Sequence, residues 1–299
     1  MIKNFDDLLQ AVKDKPKKKV IVVKGEDPNT IEACIKAREE NIADIVLVGD
    51  PVKIHKLLED LNKPKDMFRI VKAESEVDAA RISVELIKSR EGDILMKGLI
   101  GTEKYMKAIL NKENGLLSKG NILSHLTLID IPAYDKFLFL TDVAVLPAPD
   151  LMQKVKMIEY AVNAAHRFGI ENPRVAILAA NEKVSEKMPV TQEAAVLSQM
   201  NRRKQITGCI VDGPLALDVA ISPVSCSTKG LESPVGGEAD ILVFPDIEAG
   251  NIFYKCCAYF AQARLAAIVF GSDVPCILTS RSDSDESKFL SIVLACQVA

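Results

Sequence analysis

No Cys-x-x-Cys pair and no cysteine–histidine spacing suited to a metal occurs in this 299-residue chain. Its seven cysteines are Cys34, Cys209, Cys226, Cys256, Cys257, Cys276 and Cys296. They are odd in number, and most sit in apolar runs such as Val274-Pro275-Cys276-Ile277-Leu278. That pattern reads as small buried hydrophobes in a reducing compartment, not as a disulfide framework. No stretch approaches the ~18 uninterrupted apolar residues a membrane helix needs. The first residues, interrupted by charge, do not read as a signal peptide. The expectation is a soluble, cytoplasmic protein with no membrane partner. An excess of one charge is also missing: 38 Lys and Arg oppose 41 Asp and Glu, a net charge of -3. Nucleic-acid binders concentrate basic residues on one face. The one basic run here, Lys15–Lys19, is isolated and has no interleaved aromatics, so it reads as a solvated loop and no nucleic-acid partner is expected. Any anionic ligand must be held by local groups, not by the overall field. Low-complexity tracts and internal repeats are absent.

What is present is ordinary globular composition, 48% hydrophobic and 26% charged, at a length that suggests about two domains. Short apolar runs alternate with amphipathic segments. The runs are Lys19–Val23, Asp44–Val48, Asp93–Lys97, Phe137–Leu140, Arg174–Ala179, Asp240–Phe244 and Val274–Thr279. Rich in Val and Ile and ending at Gly, Asp or Pro, they read as buried parallel strands. After Asp150, a plausible N-cap, Leu151, Val155, Ile158, Val162 and Ala165 recur at helical spacing, and Gly169 reads as the residue past the helix end. This alternation predicts an α/β fold with mainly parallel sheets. The polar stretch Asn111–Gly120 is the best candidate for a first domain boundary.

In open α/β sheets, ligands bind where strands deliver their carboxyl ends into loops and helix starts, and the helix N–H groups favour anions there. Three such loops carry chemistry-bearing residues. In the first, Met96–Thr102, Gly98 and Gly101 allow close backbone approach, Thr102 is placed to cap the next helix and Lys97 supplies a cation. An ordinary turn with a surface lysine explains it about as well. In the second, Pro245–Lys255, Asn251 and Lys255 lie one turn apart and can face one ligand; locally a helix cap and a solvated lysine account for them more simply, but with Lys97, Gly98 and Thr102 they are expected to complete a substrate-binding anion site. In the third, Leu278–Ser287, Asp283 with Glu286 fits a capping box, and Ser280 and Arg281 sit just past a strand end. A hydroxyl beside a guanidinium at a helix start suits a phosphate, because arginine presents fixed donors and stays charged.

The sequence resembles the phosphate acetyl/butyryltransferase family at these loops. The likeness runs through LMKGLIGT (Leu95–Thr102), LSH (Leu123–His125), FLTD (Phe139–Asp142), APDLMQKV (Ala148–Val155), IVDGPLALDVAIS (Ile210–Ser222), EADILVFPDIEAGNIFYK (Glu238–Lys255), AAIVFG (Ala266–Gly271) and ILTSRSDSDESK (Ile277–Lys288). Its LMKGL, LSH and LTSRSDS wording is closest to the butyryl branch. The resemblance implies exchange of an acyl group between coenzyme A and phosphate, with acyl-CoA and phosphate as substrates and no tightly bound cofactor or metal. It implies a fold similar to isocitrate and isopropylmalate dehydrogenases: two α/β/α domains with an interdomain cleft, in a homodimer or larger assembly. On that pattern residues 1–118 and 270–299 form one domain and 119–269 the other. Ser280 and Arg281 match the family's phosphate-binding pair. The acetyl branch's proposed base, an Asp, falls at Ser287, with Asp285 and Glu286 just before it. Lys97 stands where the family usually has serine, and Lys107 where it has arginine. A covalent route through Cys276 and a His125–Asp212 acid–base pair are possible from composition alone, but Cys276 reads as packed and His125 as structural. The competing functions are a phosphate acetyltransferase, a metal-dependent NAD dehydrogenase of the same fold, and a non-catalytic acyl-CoA or phosphate sensor.

Overall fold

The computed structural model describes residues 2–279 and 284–299. Along the chain come α1 (Phe5–Lys13), β1 (Lys18–Val23), α2 (Pro28–Glu39), β2 (Ala43–Gly49), α3 (Pro51–Asp60), β3 (Arg69–Lys72), α4 (Glu76–Lys88), β4 (Ile94–Lys97) and α5 (Thr102–Ile109). Next are β5 (Ser124–Asp130), β6 (Leu138–Thr141), α6 (Leu151–Arg167), β7 (Arg174–Leu178), α7 (Pro189–Arg202), β8 (Ile210–Leu215), α8 (Leu217–Ile221), α9 (Pro223–Thr228), β9 (Ile241–Val243) and α10 (Ile247–Phe260). The chain closes with β10 (Arg264–Phe270), β11 (Cys276–Ile277) and α11 (Asp285–Val298). It divides into two compact units. The first comprises Phe5–Leu123 and Leu265–Ala299, the second Met1–Asn4 and Ser124–Arg264.

In the first unit the strands lie in the order β3-β2-β1-β4-β11-β10, parallel except for β10 against β11. In the second the order is β5-β6-β9-β7-β8, parallel except for β5 against β6. All seven expected runs are strands. Four further strands, β3, β5, β8 and β10, have no counterpart among the expected runs, and each has a physical reason. Arg69 and Lys72 give β3 the exposed character of a sheet edge. Polar Ser124, His125 and Thr127 punctuate β5 yet are buried and hydrogen-bonded. Asp212, Gly213 and Pro214 interrupt β8, and the alanines of β10 have little intrinsic strand preference.

The helix ends follow local chemistry. Asp150 forms the expected cap of α6 within a full capping box with Gln153, and Gly169 follows the C-cap with a φ of 80°. The start of α11 differs from expectation. Its cap is Ser284, whose Oγ accepts the Ser287 N–H at 3.2 Å, so the Asp283–Glu286 box is replaced by a serine cap. Asp283 itself lies outside the described residues. Every residue of α11 from Lys288 to Val298 is buried, which makes this helix the inner wall of the first unit, packed on α1 and α2.

Five of the seven cysteines are buried; Cys209 is half-buried and Cys256 exposed. Burial pushes the Cys34 and Cys296 thiols up to about 12 and Cys276 up to about 11. In the unfolded chain a thiol ionises near ~8.5. Each raised group therefore contributes its full stabilisation below that pH and loses it as pH climbs toward the folded value. The melting temperature is expected to hold from neutrality to about pH 8.5 and to fall steadily from about pH 9 to 11. Melts followed by circular dichroism across that range test this, and an unchanged midpoint at about pH 10.5 would contradict it.

Candidate active site

The strand order of the first unit reverses direction between β1 and β4. From β1 the chain steps toward β2 and β3, and α4 then carries it back across β1 to β4. Right-handed crossovers running in opposite directions lie on opposite faces of a sheet. Accordingly, α11 packs with α2, and α5 packs with α4. The loops after β1 and β4 part toward opposite faces, and such a switch point is where an open sheet leaves a crevice at its carboxyl edge. Val23 is level with Lys97 across it.

The Met96–Thr102 loop lies on this edge. Lys97 ends β4 and is 3% exposed; its Nζ donates to the Gly98 carbonyl at 3.3 Å. The two glycines differ in kind. A Cβ on Gly98 would stand 2.3 Å from the Lys24 carbonyl oxygen, and the Gly98 and Leu99 N–H groups donate to Val23 and Lys24 at 2.9 and 2.7 Å. The close approach at Gly98 is therefore made by the chain's own backbone, which revises its reading as a ligand contact. Among the described residues Gly101 has nothing within 4 Å of a Cβ position, so the open side of the loop is there. Thr102 is also revised. It is the first residue of α5, Gly101 is the N-cap, and no side chain caps the helix. The helix starts at the hydroxyl residue itself, which leaves first-turn N–H groups without a side-chain acceptor.

Next to β4, β11 runs parallel with Cys276 level with Leu95 and Ile277 level with Met96. The hydroxyl of buried Tyr105 lies 3.0 Å from the Leu95 carbonyl and 3.3 Å from that of Ile277, so α5 is pinned to the ends of both strands. Two residues beyond β11, Thr279 is buried. Ser280 and Arg281 lie outside the described residues. Asp285 and Glu286 are exposed in the first turn of α11, a favourable place for anions at a helix start. Cys276 is fully buried with its thiol held protonated, as expected for a packed residue.

The second loop belongs to the second unit. Asp246 caps α10 by accepting the Ala249 N–H at 2.8 Å. A Cβ on Gly250 would meet the Asp142 carbonyl at 2.4 Å. That close approach lets the Asn251 amide donate to the Val143 carbonyl at 3.0 Å, so Asn251, although exposed, is tied to the backbone and is not the helix cap. Lys255 is half-buried, with Nζ 5.0 Å from the centre of the Tyr254 ring. Asp142 is saturated: its carboxylate accepts from Ser124 Oγ and from the His125, Ala144 and Val145 N–H groups. His125 and Asp212 are not partners. Their strands, β5 and β8, stand at the two ends of the order given above, and Asp212 accepts the Ser233 hydroxyl at 2.6 Å. The structure thus gathers Lys97, Gly98 and Thr102 in one loop, and Asn251 with Lys255 on one helix.

Comparison with known proteins decides the family. The model described as phosphate acetyl/butaryl transferase matches residues 4–78 and 67–296. The chain belongs to the phosphate acetyl/butaryl transferase family. It is 43% identical over 299 residues to a phosphate butyryltransferase of Clostridium beijerinckii, covering 100% of this chain and 99% of that one. It is also 43% identical over 278 residues to a phosphate acetyltransferase of Thermotoga maritima, covering 93% and 94%. Among solved structures it is similar to a branched-chain phosphotransacylase from Enterococcus faecalis, with a TM-score of 0.83, 32% identity and coverage of 94% and 99%. A 4-hydroxythreonine-4-phosphate dehydrogenase from Klebsiella pneumoniae shares the fold alone, at a TM-score of 0.58 and 13% identity.

Within this transferase chain, the sequence reading passed over the loop after β1. Lys24 there has a φ of 58°, and its Nζ lies 2.6 Å from Glu26 Oε1. Glu26 is 6% exposed and also accepts the Asp50 N–H, while its Oε2 has no hydrogen-bond partner among the described residues. The available signal was positional: Lys24 and Glu26 follow the first apolar run at the strand end that topology makes a switch point. No helix among the described residues is long and apolar enough to cross a membrane.

Proposed function

We infer that this chain is a phosphate acyltransferase that moves an acyl group between the sulfur of coenzyme A and phosphate, with butanoyl-CoA as its preferred thioester. The observation that carries this reading is full-length likeness, at 43% identity, to a protein named phosphate butyryltransferase. Acetyl-CoA as main substrate is the second reading, favoured by equal identity to a phosphate acetyltransferase. A dehydrogenase is not favoured, because likeness to that class stops at the fold.

The chemistry is direct exchange. The coenzyme A sulfur attacks the carbonyl carbon of the acyl phosphate, a carbon–sulfur bond forms, and the carbon–oxygen bond to phosphate breaks. The thiol proton ends on the departing phosphate. The reverse reaction begins with attack by a phosphate oxygen on the thioester. A thiol with a pKa near ~8.5 is already a few per cent thiolate at neutral pH, so a general base adds only a modest factor. Charge neutralisation of phosphate and of the carbonyl oxyanion matters more. In this reading Arg281 clamps the phosphate and Ser280 donates to the phosphate or the carbonyl. Lys97 adds positive charge, and the Gly101–Thr102 helix start adds backbone N–H groups. The substrates form a cytoplasmic pool, which is where the reading puts the enzyme.

The test is release of free thiol from acetyl-, propanoyl- and butanoyl-CoA with and without phosphate. Butanoyl-CoA should give the highest kcat/KM, with overlap among the three, since each methylene is worth roughly 1–3 kcal/mol of discrimination. No phosphate-dependent release from any of them would remove the function.

A homodimer is part of the same reading. Along α10, Ile252, Tyr259 and Phe260 are 64%, 73% and 87% exposed, on one helical stripe with exposed Cys256. Such a stripe suits coverage by a second copy. Phe260→Asp is expected to halve the mass measured by light scattering. A wild-type monomer at micromolar concentration would refute the dimer.

A further inference from the structure

Two buried side-chain polar atoms have no hydrogen-bond partner among the described residues, Glu26 Oε2 and Thr279 Oγ1. Both residues follow strands of the first unit at the carboxyl edge. Glu26 is half accounted for, since its other oxygen receives Lys24 and the Asp50 N–H. Thr279 is not accounted for at all. It is 4% exposed, and its hydroxyl has no hydrogen-bond partner among the described residues. A buried hydroxyl left in this way is destabilising, and a valine of the same shape would carry no such penalty. A polar atom that packing does not explain calls for a partner that the protein itself does not supply.

Its location says what that partner is. β11 runs parallel to β4 with Ile277 level with Met96, so Thr279, two residues past the end of β11, and Gly98, one residue past the end of β4, follow adjacent strands at the same edge. The N–H groups of Gly98 and Leu99 are consumed by Val23 and Lys24, so that part of the edge offers a ligand no backbone donor. Lys97 precedes Gly98, and the uncapped start of α5 follows it. The surroundings therefore favour an oxygen anion, and a hydroxyl is the donor the edge otherwise lacks. We propose that Thr279 is a catalytic residue whose Oγ1 donates a hydrogen bond to the reacting oxyanion. That oxyanion is either the phosphate or the developing carbonyl oxygen of the acyl group. The assignment rests on the acyltransferase reading and adds to it a residue outside the serine–arginine pair.

The experiment compares wild type with Thr279→Val and Thr279→Ser, measuring melting temperature and phosphate-dependent thiol release. Thr279→Val should melt at or above the wild-type temperature yet lose tenfold or more in kcat/KM for phosphate. Thr279→Ser should return to within about threefold of wild type, because serine restores the donor. A loss seen in KM alone places the hydroxyl on ground-state phosphate, and an equal loss in kcat and kcat/KM places it on the transition-state oxyanion. Either supports the assignment. Thr279→Val activity within twofold of wild type overturns it. So does a lowered melting temperature with Thr279→Ser equally impaired, which would mark a packing residue. If wild type itself shows no turnover, the acyltransferase reading fails instead, and added inorganic phosphate then decides. A thermal upshift in wild type that Thr279→Val lacks keeps the hydroxyl as an oxyanion donor, and equal or absent shifts remove it.

Discussion

Gly98→Ala is expected to lower the melting temperature by roughly 6–12 °C, while Gly101→Ala, three residues away, moves it by less than about 2 °C. The two glycines look alike in sequence but meet different surroundings. A methyl group on Gly98 would sit 2.3 Å from the Lys24 carbonyl oxygen, 2.8 Å from that of Val23 and 2.9 Å from the Lys24 carbonyl carbon. All three are backbone atoms, so no side chain can swing away. Relief requires moving the loop off β1, which breaks the Gly98-to-Val23 and Leu99-to-Lys24 hydrogen bonds. Overpacking together with two lost bonds costs about 3 kcal/mol or more. At Gly101 the added methyl meets nothing within 4 Å among the described residues, and the φ of −62° suits any residue. Its effect belongs to function. If phosphate approaches the start of α5, Gly101→Ala raises the KM for phosphate with the fold intact. Calorimetry and kinetics on the two variants separate the roles. A Gly98→Ala protein melting within about 2 °C of wild type would show that the loop is not seated on β1.

That contrast shows what can be read from residues and what waits for coordinates. The strands buried on both faces were legible because continuous apolar runs of four to six residues, ending at Gly, Asp or Pro, are too short for core helices. The cap at Asp150 was legible because its chemistry is local. The strand β5 was not, since Ser124 and His125 pass for loop residues until Asp142, 17 to 18 positions later, is seen to accept from both. Asn251 likewise has a partner, Val143, that lies 108 positions away. The His125–Asp212 question needed strand order, and order comes from crossovers that no local pattern records. Glu26 and Thr279 stand out only by what they fail to bond, a property that exists only once neighbours are known. The serine–arginine pair rests on sequence alone, since both residues lie outside the described residues. Its signal is chemical and contiguous, an arginine set among small hydroxyl and acidic residues at a strand end.

Arg281→Ala should reduce kcat/KM for phosphate by roughly 10²–10³, the scale seen when a preorganised partner of developing charge is removed. The effect is electrostatic. The chain carries a net charge of -3, so its overall field does not draw phosphate in, and neutralisation must be local. A guanidinium can hold two phosphate oxygens in one plane through the whole transfer, whereas an ammonium is a single point of charge. Arg281→Lys should therefore recover only part of the loss. The sign of the salt response gives a second readout. With the guanidinium present, added chloride should compete with phosphate and raise its KM, and in Arg281→Ala that dependence should flatten. Lys97→Met tests the neighbouring cation. Because Lys97 is buried at the end of β4, its replacement should also change kcat/KM for phosphate, but by less than loss of the bidentate group. Were Arg281→Ala as active as wild type and equally sensitive to chloride, the exchange reaction would stand and the phosphate clamp would have to be sought among Lys97, Lys24 and the start of α5.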